Sequence, residues 1–125
     1  MIIENVGIIV APQKREELRR ALSSMLGPTE AEAGCVSCHL YQESSNANAF
    51  RFEAHWRCQN DLAQHMRAYK YRNLLVLMEM GVEPPTIEFH VVSETRGLDL
   101  IQNIRSPQEP TGEENSENAK EKCEP

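Results

Sequence analysis

Residues 34–56 read GCVSCHLYQESSNANAFRFEAHW, and two patterns of period two flank one polar interruption. In the second half Phe50, Phe52, Ala54 and Trp56 alternate with Arg51, Glu53, His55 and Arg57, the signature of a strand with one buried face. In the first half, Cys35 to Gln42, Val36, Cys38 and Leu40 alternate with Ser37, His39 and Tyr41. The run Glu43-Ser44-Ser45-Asn46-Ala47-Asn48 between them is made of turn formers, so the pair predicts a β-hairpin.

Working outward, Asn5 to Ala11 is apolar and β-branched and is closed by Pro12, which predicts a first strand. From Pro12 the period changes: Leu18, Leu22, Met25 and Leu26 recur at helical spacing until Gly27-Pro28, where the helix is expected to stop. Beyond the hairpin, Asn60 or Asp61 caps a second amphipathic helix carrying Leu62, His65, Met66, Tyr69, Leu74, Leu77 and Met78 up to Gly81. Pro84-Pro85 then leads into a last strand, Thr86 to Val92. The order β, α, β, β, α, β predicts an α+β domain of ferredoxin-like topology, a four-stranded antiparallel sheet with both helices on one face.

The expected division is a domain over residues 1–96, a short C-terminal extension over 97–106 with Leu98, Leu100, Ile101 and Ile104 at helical spacing, and an acidic tail over 107–125 too poor in apolar residues to order. Of the formal charge of −6, residues 97–125 carry seven acids against three bases, which leaves −2 on the rest. A near-neutral body offers no footprint for phosphate backbones, so nucleic acid is not an expected partner. No apolar run approaches the roughly 20 residues of a membrane span, and no leader pattern precedes the first strand, so a cytoplasmic protein with no membrane partner is expected. Four cysteines in that setting read as reduced thiols.

Gly34-Cys35-Val36-Ser37-Cys38-His39-Leu40-Tyr41, followed by Phe50, Trp56 and Leu62 with His65 three residues on, resembles the antibiotic biosynthesis monooxygenase family over roughly residues 2–93. The resemblance implies dimeric α+β barrels that insert oxygen into phenols or quinols without metal or flavin, while some relatives degrade haem. Two positions depart from the family's pattern. Ala54 stands where a Glu is usual two residues before Trp56, and Lys70-Tyr71 where His-Phe is common.

Trp56 and His65 are expected to meet between sheet and helices, with Phe52 on the same strand face. An aromatic wall suits a small aromatic substrate, and a neutral His65 imidazole as catalytic base would leave an electron-rich anion able to reduce dioxygen. Tyr69, Tyr71 and Arg72 follow by four to seven residues and are candidate substrate-binding groups. A core Trp and a core His, their N–H groups satisfied, remain the competing structural reading. Cys35-Val36-Ser37-Cys38-His39 spells a c-type haem attachment site, but strict alternation points Cys35 and Cys38 to opposite faces, which also counts against zinc bound by Cys35, Cys38, His39 and Cys58. No metal or cofactor is therefore expected. His39, Glu53, His55 and His90 share the opposite strand parity and predict a second sheet face, covered by a homodimer partner. The functional expectation is a small cofactor-independent monooxygenase acting on a quinol or polycyclic phenol; a non-catalytic dimeric binding module and a haem-degrading monooxygenase are the alternatives.

Overall fold

A computed structural model describes residues 1–107, so the predicted tail falls almost wholly outside the described residues. The elements are β1 (Ile2–Ile9), a 3-10 turn (Pro12–Lys14), α1 (Arg15–Glu30), β2 (Cys35–Gln42), β3 (Ala49–Trp56), α2 (Gln59–Arg67), α3 (Tyr71–Met78), β4 (Thr86–Val91) and α4 (Leu98–Arg105). The strands form one sheet in the order β2-β3-β1-β4, every neighbouring pair antiparallel, as the ferredoxin-like topology requires.

Alternation sorts the sheet into two faces. Ile2, Glu4, Val6 and Ile8 of β1 and Phe50, Phe52, Ala54 and Trp56 of β3 are buried under the helices. From α1, Leu18 and Leu22, one turn apart, complete that core, each side chain worth about 1.5–3 kcal/mol of burial. Glu16 and Glu17 occupy the first turn of α1, where the helix dipole favours acids. His39, Glu53, His55 and His90 lie on the opposite face, as expected from parity.

Three local expectations are corrected. First, α1 runs through Gly27-Pro28 to Glu30. Proline removes only its own N–H, and the Ala31 N–H reaches the Gly27 carbonyl at 3.1 Å, so the last turn closes around it while Thr29 is buried. Second, the expected single helix from 60 to 81 is two, separated at Ala68–Lys70, where Ala68 is extended (φ −66°, ψ 145°). On one straight helix Tyr71 would stand about 120° around the axis from His65. The break turns it back, so that His65 and Tyr71 are both buried.

Third, a β-bulge between Cys35 and Ser37 inserts Val36, so Cys35 pairs with Trp56, Ser37 with His55 and Cys38 with Ala54. Both cysteines therefore share the helix side of the sheet. They are free thiols, as expected. The α1–β2 connection turns on Gly34, whose φ of +83° is left-handed. A side chain there would collide with Asp61, so only glycine fits on both counts.

Candidate functional site

An acid stands in the middle of the apolar row of β1. Glu4 is fully buried between Ile2 and Val6, and three elements converge on its carboxylate. From β3 the Trp56 indole N–H donates to Oε1 at 3.0 Å, and from α3 the Tyr71 hydroxyl donates to Oε2 at 3.1 Å. From α2, His65 Nε2 lies 3.4 Å from Oε1. The other ring nitrogen, Nδ1, meets Glu32 Oε1 at 2.9 Å. Glu32 sits just past the end of α1, its N–H bonded to the Thr29 carbonyl and its carbonyl taking the Cys35 N–H, so the connection fixes its backbone. The imidazole stacks on Trp56 at 4.3 Å and receives Tyr71 edge-on at 4.9 Å.

A buried charge is costly unless paired, and this arrangement supplies the pairing. Burial pulls the His65 pKa down, but the hydrogen bonds and attraction of Glu4 and Glu32 outweigh it and hold the pKa above the ordinary histidine value. Burial first, and Glu4 second, push the Tyr71 phenol up, so it stays a donor. The two carboxylates around His65 therefore favour its protonated form.

A cavity of about 210 Å³ opens against this group between α1 and the break after α2. His65, Glu32 and Tyr71 border it, with Met25 and Pro28 from α1 and Lys70 from the break. His65 is 3% exposed and Lys70 49%, which puts the imidazole at the inner end and the ammonium at the rim. Glu32 Oε2 is buried and accepts no hydrogen bond; Lys70 Nζ is 3.5 Å away. Three larger hollows, about 680, 690 and 290 Å³, open on the outer sheet face, beside the α3–β4 connection and between α1 and α3, and none borders His65.

Of the residues singled out from sequence, His65 and Tyr71 line the cavity, and Trp56 forms the floor beneath His65 without lining it. Phe52 is fully buried in the core, away from the cavity lining. Tyr69 is 80% exposed, and Arg72 lies over its ring at 5.0 Å, so this pair faces solvent and not the cavity. Glu4, Glu32 and Lys70 were not picked out by sequence reasoning. Glu4 carried a signal: it has the parity of Val6 and Ile8 and is the direct cross-strand partner of Ala54. The carboxylate absent at position 54 thus enters the same space from the neighbouring strand. Among the described residues no three His, Cys, Asp or Glu are grouped to hold a metal ion, and no helix is long and apolar enough to cross a membrane.

The chain is similar to known proteins over most of this domain. Residues 1–75 match the model of the family described as antibiotic biosynthesis monooxygenase. An uncharacterised protein of Synechocystis sp. is 27% identical over 92 residues, 73% of this chain; the match spans 63% of that relative's length. A Deinococcus radiodurans protein provisionally named an antibiotic biosynthesis monooxygenase superposes with a TM-score of 0.71 at 18% identity, covering 78% of this chain and 97% of the other. The Mycobacterium tuberculosis protein Rv0793 gives a TM-score of 0.69 at 22% identity, covering 77% and 98%. These two share the fold, and the sequence match carries the relationship: the chain belongs to the antibiotic biosynthesis monooxygenase family.

Proposed function

We propose that the protein is a monooxygenase that inserts oxygen into a quinol or phenol without a metal or flavin, with Glu32 as the base and His65 as the group that orients Glu32 and stabilises the anion beside it. The observation that carries this reading is the inner end of the cavity, where the His65 imidazole and the Glu32 carboxylate, one oxygen of which accepts no hydrogen bond and lies 3.5 Å from Lys70 Nζ, stand side by side out of bulk water. Glu32 takes the phenolic proton, and the positive His65 stabilises the phenolate. The phenolate passes one electron to dioxygen, and the resulting radical and superoxide join at an unsubstituted ring carbon. Glu32 returns its proton to the peroxide; the ring hydrogen then leaves as a proton to Glu32 as the O–O bond breaks, and the departing hydroxide takes that proton to become water, restoring the Glu32 carboxylate. A hydroquinone plus dioxygen becomes a hydroxyquinone plus water, with no outside reductant.

Glu4, Trp56 and Tyr71 act as positioning residues that keep His65 charged and oriented. A haem-degrading role is disfavoured because His65 is buried, with Nδ1 held by Glu32 at 2.9 Å and Nε2 turned to Glu4 at 3.4 Å. The same reading includes a homodimer through the outer sheet face, supported by half-buried Glu53 and His55 there and by Asn5 Oδ1, buried without a partner. The test is oxygen uptake with a panel of hydroquinones under ¹⁸O₂. Glu32→Gln should lower turnover by about 10²–10⁴ while the protein stays folded, and full turnover by this variant would sink the assignment. Hydroquinone binding without oxygen uptake by the unaltered protein would make it a binding module instead.

A further inference from the structure

We infer that the substrate is a single-ring hydroquinone bearing an anionic substituent, which enters ring first and leaves its anionic group at Lys70; this rests on the monooxygenase reading of the same cavity. Size comes first. Pockets for drug-sized ligands run to about 300–1,000 Å³, and an engineered apolar cavity of about 150 Å³ is filled by benzene. A space of about 210 Å³ takes one substituted ring and not three fused ones.

The walls set the orientation. At the inner end, Glu32 Oε2, buried and accepting no hydrogen bond, offers an acceptor for a phenolic hydroxyl beside the His65 ring. Along the sides, Met25 and Pro28 offer apolar contact to ring faces. At the rim, the Lys70 ammonium has three donors and only loose partners, the Pro28 carbonyl at 3.4 Å and Glu32 Oε2 at 3.5 Å. Good charged hydrogen bonds lie nearer 2.7–2.9 Å, so this cation has capacity to spare for an incoming carboxylate. Lys70 is the last residue of the break, capping the start of α3, and its half-exposed side chain can follow the ligand without moving the core. The reaction is balanced for such a ligand: 2,5-dihydroxybenzoate and dioxygen give the hydroxylated quinone carboxylate and water.

Trp56 is the only tryptophan and is stacked on His65, so its fluorescence reports occupancy of the cavity independently of turnover. The full chain is titrated with 2,5-dihydroxybenzoate, its methyl ester and an anthracene diol, and oxygen uptake is followed in parallel. The acid should bind at least tenfold more tightly than the ester, Lys70→Met should erase that preference, and the three-ring diol should leave the fluorescence unchanged. An ester bound as well as the acid, a preference surviving Lys70→Met, or three-ring binding as tight as one-ring would overturn the inference. Oxygen uptake with the three-ring diol alone would overturn it while leaving the monooxygenase reading intact. Lys70-dependent binding of the acid with no oxygen uptake would support the ligand class and overturn the reaction.

Discussion

Glu4→Ala tests the logic of the buried network. The substitution strands three groups at once: the Trp56 indole N–H held at 3.0 Å, the Tyr71 hydroxyl at 3.1 Å and His65 Nε2 at 3.4 Å. Each orphaned neutral donor costs about 1–3 kcal/mol. Removing one partner of a buried charged pair costs about 3–5 kcal/mol, and because all three share one carboxylate the losses overlap, so we expect about 4 kcal/mol in all. At an m-value of about 1.5 kcal/mol/M, the urea midpoint read from Trp56 emission should fall by roughly 2–3 M. The decisive comparison is the double variant Glu4→Ala, Ala54→Glu. Ala54 is the register partner of Glu4, fully buried on the same face, and directly opposed Cβ atoms are about 4.5–5.5 Å apart. The swap conserves volume and returns a carboxylate to the same space, so it should restore at least half of the lost stability. A single variant within about 1 kcal/mol of the original, or a double variant no better than the single, would refute the account.

The remaining expectations concern pH, assembly and surface. Because the folded His65 pKa lies above its ordinary 6.5, the protonated folded state is favoured: His65 contributes full stability below about pH 6.5 and loses it as pH rises through the folded value. Melting temperature should therefore fall from about pH 6.5 towards 9 more steeply in the original protein than in His65→Gln, and parallel profiles would contradict the charged imidazole. Sedimentation at micromolar concentration should give a homodimer, which a charge reversal at half-buried Glu53, Glu53→Lys, should weaken; a monomeric unaltered protein would end that proposal. Tyr69→Ala should change stability by less than about 0.5 kcal/mol and leave turnover intact, and a tenfold loss of turnover would return Tyr69 to the site.

Most of the fold was legible because side-chain period is a direct consequence of one-sided burial. Phe50, Phe52, Ala54 and Trp56 declared the buried face of β3, and every residue of that row is buried. His65 was legible for the same reason. The acids around it were not, since their roles depend on contacts across 33 and more residues: Glu32 reaches His65 from the α1–β2 connection and Glu4 reaches Trp56 from the far end of the domain. Starting the first strand at Asn5 hid Glu4; reading from Ile2 would have set an acid in an apolar row. The break at Ala68–Lys70 contains neither glycine nor proline and left no local sign. With it went the orientation of Tyr69 and Arg72, which a continuous helix had suggested were near the pocket.

The inserted Val36 has a consequence for sulfur chemistry. By turning Cys35 to the same side as Cys38, the bulge seats two thiols beneath α1 in the company of Glu30, Glu32 and Glu4, and burial chiefly, with those acids, pushes them up to about 11 and about 12. At neutral pH the thiolate population of a pKa 11 thiol is about 10⁻⁴, against a few per cent for an unperturbed cysteine. Maleimides and peroxide should pass these sulfurs by, so a spectroscopic label can be introduced at an exposed position such as Tyr69 without first removing Cys35 and Cys38.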